Sequence, residues 1–142
     1  MKTIQDLKSA LESGSTTAEK LAEESLAAIE KNKSLNAYIS VLAERAMQKA
    51  KESDERRKEG KSLGALDGIP VAIKDNLCLE GSRTTAASKM LEHFVSPYTA
   101  TAVEKIEAQG AVIVGKTNMD EFAMGSSSES SYFGPVENPI DT

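Results

Sequence analysis

Tryptophan is absent, and three tyrosines and three phenylalanines are the only aromatics in 142 residues. A core built from this chain therefore depends on Ala, Leu, Ile, Val and Met. One cysteine excludes an internal disulfide framework, and with a single histidine it excludes a Cys/His zinc cluster made by this chain alone. No apolar run approaches the ~20 residues needed to cross a bilayer. The opening Met1-Lys2-Thr3-Ile4-Gln5-Asp6 has no apolar stretch of the kind a secretory signal requires. The formal charge of −5 argues against a nucleic-acid footprint spread over the whole surface. What is present, 39% hydrophobic and 27% charged residues, is the mix of one ordinary globular domain. A soluble cytoplasmic protein is the expectation.

The charge is unevenly spread. Residues 1–63 carry 12 Lys and Arg against 11 Asp and Glu, whereas residues 64–142 carry 5 against 11 and hold five of the aromatics. Dense, balanced charge among small apolar residues predicts solvated helices laid on another layer. Thr3, with Asp6 three residues on, makes a capping-box pair for a helix through Ile4, Leu7 and Leu11 that ends at Gly14. A second helix starts at Ser15-Thr16-Thr17 and turns Leu21, Ala22, Ser25, Ala28 and Ile29 inward. Tyr38 to Val41 reads as a short strand. It leads into a helix over about 42–59, with Ala43, Ala46, Met47 and Ala50 inward and a polar end, Glu52 to Gly60, mostly in water.

The texture changes at Leu63-Gly64. Ile69 to Lys74 is short, apolar and β-branched, the pattern of a buried strand, with Pro70 tolerated only near its start. A Ser/Thr/Ala-rich connection over about 80–96 shows little periodicity. A helix over about 99–109 carries Ala102, Val103 and Ile106 on one face and stops at Gly110; Ala111 to Val114 is a second buried strand. Asn118 to Met124 reads as a brief helical turn. Strand, helix, strand at this spacing predicts an α/β sheet with a parallel crossover.

Gly110 to Thr117 fits the phosphate-loop pattern G-x-x-x-x-G-K-[ST] letter for letter. The physics of that loop requires a strand, then a coil whose N–H groups converge on phosphate, then a helix. Here a helix precedes Gly110, and the variable positions are Ala-Val-Ile-Val, the most strand-prone stretch in the chain. The nucleotide reading is rejected: Gly110 is a helix terminator and Lys116 an ordinary strand-end residue.

Lys74 is the strongest candidate for chemistry. On a strand from Ile69, residues Pro70, Ala72 and Lys74 share one face and Ile69, Val71 and Ile73 the other. An ammonium carried by an apolar strand is poorly hydrated, and desolvation moves lysines toward the range of a general base. The alternative is a strand-end lysine that reaches solvent or pairs with Asp75. Ser126, Ser127, Ser128, Ser130 and Ser131 lie in no nucleophile elbow, and His93 has no evident route to serve as their base, so they read as pocket wall. Cys78 and His93 have no signature spacing; Cys78, Met124 and Phe122 read as core.

Gly68-Ile69-Pro70-Val71-Ala72-Ile73-Lys74-Asp75-Asn76 resembles the lysine-bearing strand of the amidase signature family. Thr84 to Ser88 with Met90-Leu91, and Gly110 to Ser127, are similar to it as well, which accounts for the false phosphate loop. Glu129 to Pro135 and Asn138-Pro139-Ile140-Asp141 resemble one branch, the A subunits of glutamine-dependent aminoacyl-tRNA amidotransferases. The resemblance implies an α/β fold with a mixed β-sheet flanked by helices. Residues 1–142 are then the N-terminal portion of one amidase domain, 1–62 a helical lead-in and 63–142 the start of the α/β core. It implies amide hydrolysis by a serine–cis-serine–lysine triad with Lys74 as the lysine, and a substrate pocket lined by Met124, Gly125, Ser126 and Ser127. Glutamine is the implied substrate. Its ammonia passes to a B subunit that amidates Glu or Asp misacylated on tRNA, with ATP and magnesium on that partner and none in this chain; a small C subunit completes the trimer.

Both family serines follow the Asn-Pro-x-Asp element, and this chain stops at Thr142, one residue beyond Asp141. One triad member of three is therefore present. The chain is expected to be the leading part of a longer enzyme, inactive by itself, with sheet edges left for strands outside it. A free-standing amidase and a non-catalytic binding or assembly module are the alternatives.

Overall fold

In the computed structural model, which describes residues 3–140, the first helix starts on the anticipated capping box. The Thr3 hydroxyl accepts the Asp6 amide while the Asp6 carboxylate accepts the Thr3 amide, opening α1 (Ile4–Glu12). Thr17 caps α2 (Ala18–Lys31) by accepting the Lys20 amide. A second cap arrives from far away in sequence. The Asp54 carboxylate, on α3 (Ala43–Lys58), accepts the amides of Ala18 at 2.8 Å and Glu19 at 3.0 Å. Ser53 and Asp54 are the two buried residues of the Glu52 to Gly60 end, which is otherwise exposed or half-buried as expected. The orphan amides and positive pole of α2 supply the reason, since a buried carboxylate is tolerated where it satisfies them. The inward stripes are also narrower than expected: Leu21, Ala22, Ala46 and Ala50 are buried, but Ala28 and Ala43 are exposed.

Three strands form one mixed sheet: β1 (Tyr38–Val41), β2 (Pro70–Lys74) and β3 (Val112–Thr117), in the order β1-β3-β2. The central β3 runs antiparallel to β1 and parallel to β2, with α4 (Thr101–Ala108) in the β2–β3 crossover. The sheet thus draws a strand from the charge-rich leading part as well as two from the rest. Pro70 is the first residue of β2, where its missing N–H costs no ladder bond.

Each face of the sheet has its own core. Val112, Val114 and Ile69 pack with Leu11, Leu21, Ala22, Ala46 and Ala50 from α1–α3. Ile113 and Ile73 pack with Val103 of α4 and Leu79 on the other side, with Val71 against them. Ile69 therefore does not share a face with Val71 and Ile73, as regular alternation from residue 69 had implied. It lies before the strand and faces the opposite core.

A bulge then resets the register of β3. Val71 pairs with Ile113, but Ala72 pairs with Gly115 and Ile73 with Lys116, so Val114 is an extra residue. Alternation carried through from Ile113 would turn Lys116 toward α1–α3; the bulge turns it to the side of Ile73 instead.

Gly110 has φ +84, directly after Gln109, the C-cap of α4, and a Cβ there would lie 2.7 Å from Asp67 Cα. Both facts demand glycine. The segment that matched a phosphate loop is strand from Val112 onward, and its first two amides, those of Gly110 and Ala111, donate to the Glu107 and Ile106 carbonyls of α4. Between Asp75 and Ala100 the chain is irregular, apart from a 3-10 turn at Lys89–Leu91 and a bridge between Arg83 and Val95. Asn118 to Met124 holds only a 3-10 turn, Glu121–Ala123, broken by Phe122 at φ 52. Asp141, the last residue of the Asn138–Asp141 element, lies outside the described residues. Among the described residues no helix is long and apolar enough to cross a membrane.

Candidate active site

Lys74 is the last residue of β2, at the carboxyl end of an edge strand. Its side chain lines a cavity of about 510 Å³ together with Asn118, Met119, Asp120, Ala123, Gly125 to Ser128, and Val136 to Asn138. The carboxyl ends of parallel strands are where open α/β sheets place their ligands. Lys74 is exposed, which corrects the expectation of a poorly hydrated amine and agrees with the alternative of a strand-end lysine that reaches solvent. It forms no ion pair with Asp75; among the described residues none is formed at Lys74.

The desolvated lysine is Lys116, which is 0% exposed, and this corrects its reading as an ordinary strand-end residue. Its Nζ lies 3.0 Å from Asp75 Oδ1, and donates to Thr84 Oγ1 at 2.9 Å and to the Arg83 carbonyl at 3.1 Å. Asp75 is also fully buried. Its Oδ1 meets Lys116 as a charge contact without hydrogen-bond alignment, while Oδ2 accepts both the amide and the hydroxyl of Thr85. Asp75 is the first residue of the turn after β2, closed by the Leu77 amide donating to the Lys74 carbonyl at 2.9 Å; its side chain is buried while that of Lys74 is exposed, so the neighbours in sequence serve different surfaces.

The Thr85 network continues into a strained loop. Ala86 (φ 49) and Ala87 (φ 55) are consecutive left-handed residues with side chains, a conformation that costs about 1 kcal/mol or more each. Their carbonyls accept the amides of Phe122 and Tyr132, both at 2.9 Å. Phe122, Ala123 and Ser128 are themselves left-handed, so strain gathers around the cavity.

The wall is fixed by Asp120 and by two asparagines. Asp120 Oδ2 accepts the Ser128 amide at 3.0 Å and Oδ1 accepts the Ser130 hydroxyl at 2.9 Å. The Ser128 amide above all, against some desolvation, holds its carboxyl below the usual carboxylate range; the Ser130 hydroxyl adds to this and the charge of Lys74 contributes least. Gly125 packs flush on this carboxylate, where a Cβ would collide with Asp120 Oδ1. Asn118 Nδ2 donates to the carbonyls of Asn36 and Gly134, and Asn36 Nδ2 donates to those of Phe133, Gly134 and Pro135.

Gly125, Ser126 and Ser127 therefore stand in one cavity with Lys74, and Met124 does not line it. Met124 is 76% exposed and Phe122 43%, so neither is the core residue that was expected. Cys78 is half-buried, and its thiol pushes the Tyr98 hydroxyl above the usual tyrosine range; His93 is exposed next to Glu92. Neither lines the cavity. Sequence reasoning missed Asp120, Asn118, Lys116 and Thr85. Asn118, Asp120 and Thr85 lay inside segments that resemble the family but had no role attached to them, and Lys116 also carried the false signal of the phosphate-loop pattern.

A model of the amidase family matches residues 20–142. The chain belongs to the amidase family. Over 138 residues, 97% of the chain, it is 52% identical to the A subunit of the mitochondrial glutamyl-tRNA(Gln) amidotransferase of Macaca fascicularis, of which it spans 26%. It is 50% identical over 142 residues to the A subunit of the glutamyl-tRNA(Gln) amidotransferase of Thioalkalivibrio sulfidiphilus, covering 99% of the chain and 29% of that protein. A solved structure described as an unexpected vestigial protein complex that reveals the origins of an s-triazine catabolic enzyme superposes on the whole chain. The TM-score is 0.93 at 39% identity, and the match covers 31% of that chain. The amidase architecture, a mixed sheet flanked by helices, is thus the fold of this chain. It spans little more than a quarter of the curated relatives it matches.

Proposed function

We propose that these residues are the leading part of an amidase domain in the A subunit of a glutamine-dependent tRNA amidotransferase, with Lys74 its proton-accepting residue. One observation carries this reading: Lys74 leaves the carboxyl end of an edge strand into the same cavity that Gly125, Ser126 and Ser127 line. Exposure of the amine within these residues fits a group that must reach partners outside them.

In this reading Lys74 takes a proton from a bridging serine, which takes one from the nucleophilic serine; both serines lie beyond residue 142. The serine oxygen bonds to the side-chain amide carbon of glutamine, and the C–N bond breaks as the nitrogen leaves, protonated, as ammonia. Water then releases glutamate from the acyl-enzyme. Gly125 to Ser127 form a wall of the substrate pocket, and Met124 flanks it. ATP and magnesium act on a B subunit, where misacylated Glu- or Asp-tRNA receives the ammonia, and a C subunit joins the pair. A cytoplasmic setting goes with this reading.

The test is ammonia release from glutamine by the intact protein assembled with its partners. Lys74→Ala lowers the rate about 10²–10⁴-fold, and a fall of less than about tenfold removes Lys74 as the base. The 142 residues alone release no ammonia above background, because two of three triad members are missing.

A further inference from the structure

A buried ion pair is rarely a gain in stability, since well-packed apolar residues of the same volume commonly do as well or better. Lys116 and Asp75 are both fully buried, so their presence calls for a reason beyond packing. An apolar pair could fill the same volume, but it could not hold the Arg83 carbonyl, the Thr84 hydroxyl, and the amide and hydroxyl of Thr85. All four belong to the stretch that leads directly into the left-handed residues Ala86 and Ala87. Thr85 Oγ1 also accepts the Ala87 amide at 3.0 Å. Beyond these residues the Ala86 and Ala87 carbonyls hold Phe122 and Tyr132, the two flanks of the segment that walls the cavity.

The pair therefore touches the cavity by two routes. One is covalent, because Asp75 is the next residue after Lys74 and its amide is held by the Thr117 carbonyl at 3.1 Å. The other runs through the strained loop to the opposite wall. We propose that the buried Lys116–Asp75 pair is a positioning device, which sets the Lys74 amine against the 120–131 wall from the far side of the sheet. This rests on the reading of the cavity as an amide-hydrolysing site. Lys116 and Asp75 touch no substrate; they act through Lys74 and the loop.

The experiment measures kcat and KM for glutamine hydrolysis in the intact assembled protein. The Asp75→Asn/Lys116→Met double variant removes both charges together and so avoids leaving one buried and unpaired. Thr85→Val removes the hydroxyl, and with it both the bond to Asp75 and the acceptor of the Ala87 amide, with the Thr85 amide still on Asp75. Misplacement of a catalytic amine is read in kcat, so the double variant loses about 100-fold and Thr85→Val about tenfold, with KM changed less than about threefold. A folded double variant with kcat within about twofold of the parent overturns the proposal, as does a change confined to KM. If the double variant does not fold, Thr85→Val decides alone by the same two criteria. Lys74→Ala separates the failures: if it retains activity, the reading of the cavity falls and this inference with it. If it is inactive while the double variant works, the positioning role alone falls.

Discussion

Lys74 and Lys116 stand near the ends of two hydrogen-bonded parallel strands and have opposite surroundings. Lys74 closes β2, is exposed, and looks into a cavity. Lys116 sits one residue from the end of β3, is sealed from water, and has an acid, a hydroxyl and a carbonyl around its ammonium. In the proposed reading, two identical side chains divide the labour between reacting and holding. What separates them is one bulged residue, Val114, which decides the face on which Lys116 emerges.

The largest effect that sharpens this contrast is the loss of activity in Lys74→Ala, set beside its stability. At an exposed position the same substitution changes the unfolding free energy by no more than about 0.5 kcal/mol in urea titration. An equally large loss of stability would mean that Lys74 is a structural residue like its neighbour. Lys116→Ala is the converse. It leaves Asp75 buried without its countercharge, and costs about 3–5 kcal/mol of unfolding free energy. A loss below about 1 kcal/mol would show that water reaches the pair.

Gly125→Ala tests the wall facing Lys74. The new Cβ drives the Asp120 carboxylate away, so the Ser128 amide loses its acceptor. Overpacking of this kind costs about 1–3 kcal/mol, and hydrogen exchange at Ser128 accelerates. Unchanged exchange there would show that Asp120 does not clamp the loop. Asp54→Ala removes the remote cap of α2 and costs about 1 kcal/mol, read as a lower urea midpoint.

The smallest effect is a pH dependence at Asp67, a buried carboxylate remote from both lysines. Burial opposes its charge, but Arg56 at 2.8 Å and the Leu63 amide at 2.9 Å outweigh it and hold its carboxyl below the usual range. A depressed folded value means that the unfolded chain takes up the proton first. The contribution is therefore complete above the unfolded value of about 3.9 and fades as pH falls through the folded one. Asp67→Asn flattens the decline in urea midpoint below pH ~4; parallel acid limbs in variant and parent would remove Asp67 from the account.

Much of the fold could be read along the chain because its causes are local. Thr3 and Asp6 lie one helical turn apart, Thr17 caps the helix that follows it, and the β-branched runs ending at Lys74 and Val114 alternate over a few residues. The rejected phosphate loop belongs here too, since a helix before Gly110 and a β-branched run after it leave no room for a cradle. At the site, the resemblance of Gly68 to Asn76 and of Gly110 to Ser127 brought Lys74 and Gly125 to Ser127 to notice before any geometry was known. Asp54, Asp120 and Lys116 were not legible. Asp54 is explained by a helix end 36 residues away, and Lys116 by an acid 41 residues earlier in the chain.

By itself, the sequence determined which segments are helix and strand, that the fold is α/β, and which family motif carries the candidate lysine. These follow from capping chemistry and side-chain periodicity, which act over a turn or two. Tertiary structure alone decided which lysine is buried, which carboxylate braces the cavity and where the strain collects. Register, burial and the pairing of distant polar groups are set only when the strands align and water is excluded between them, and one extra residue in β3 is enough to exchange the inside for the outside.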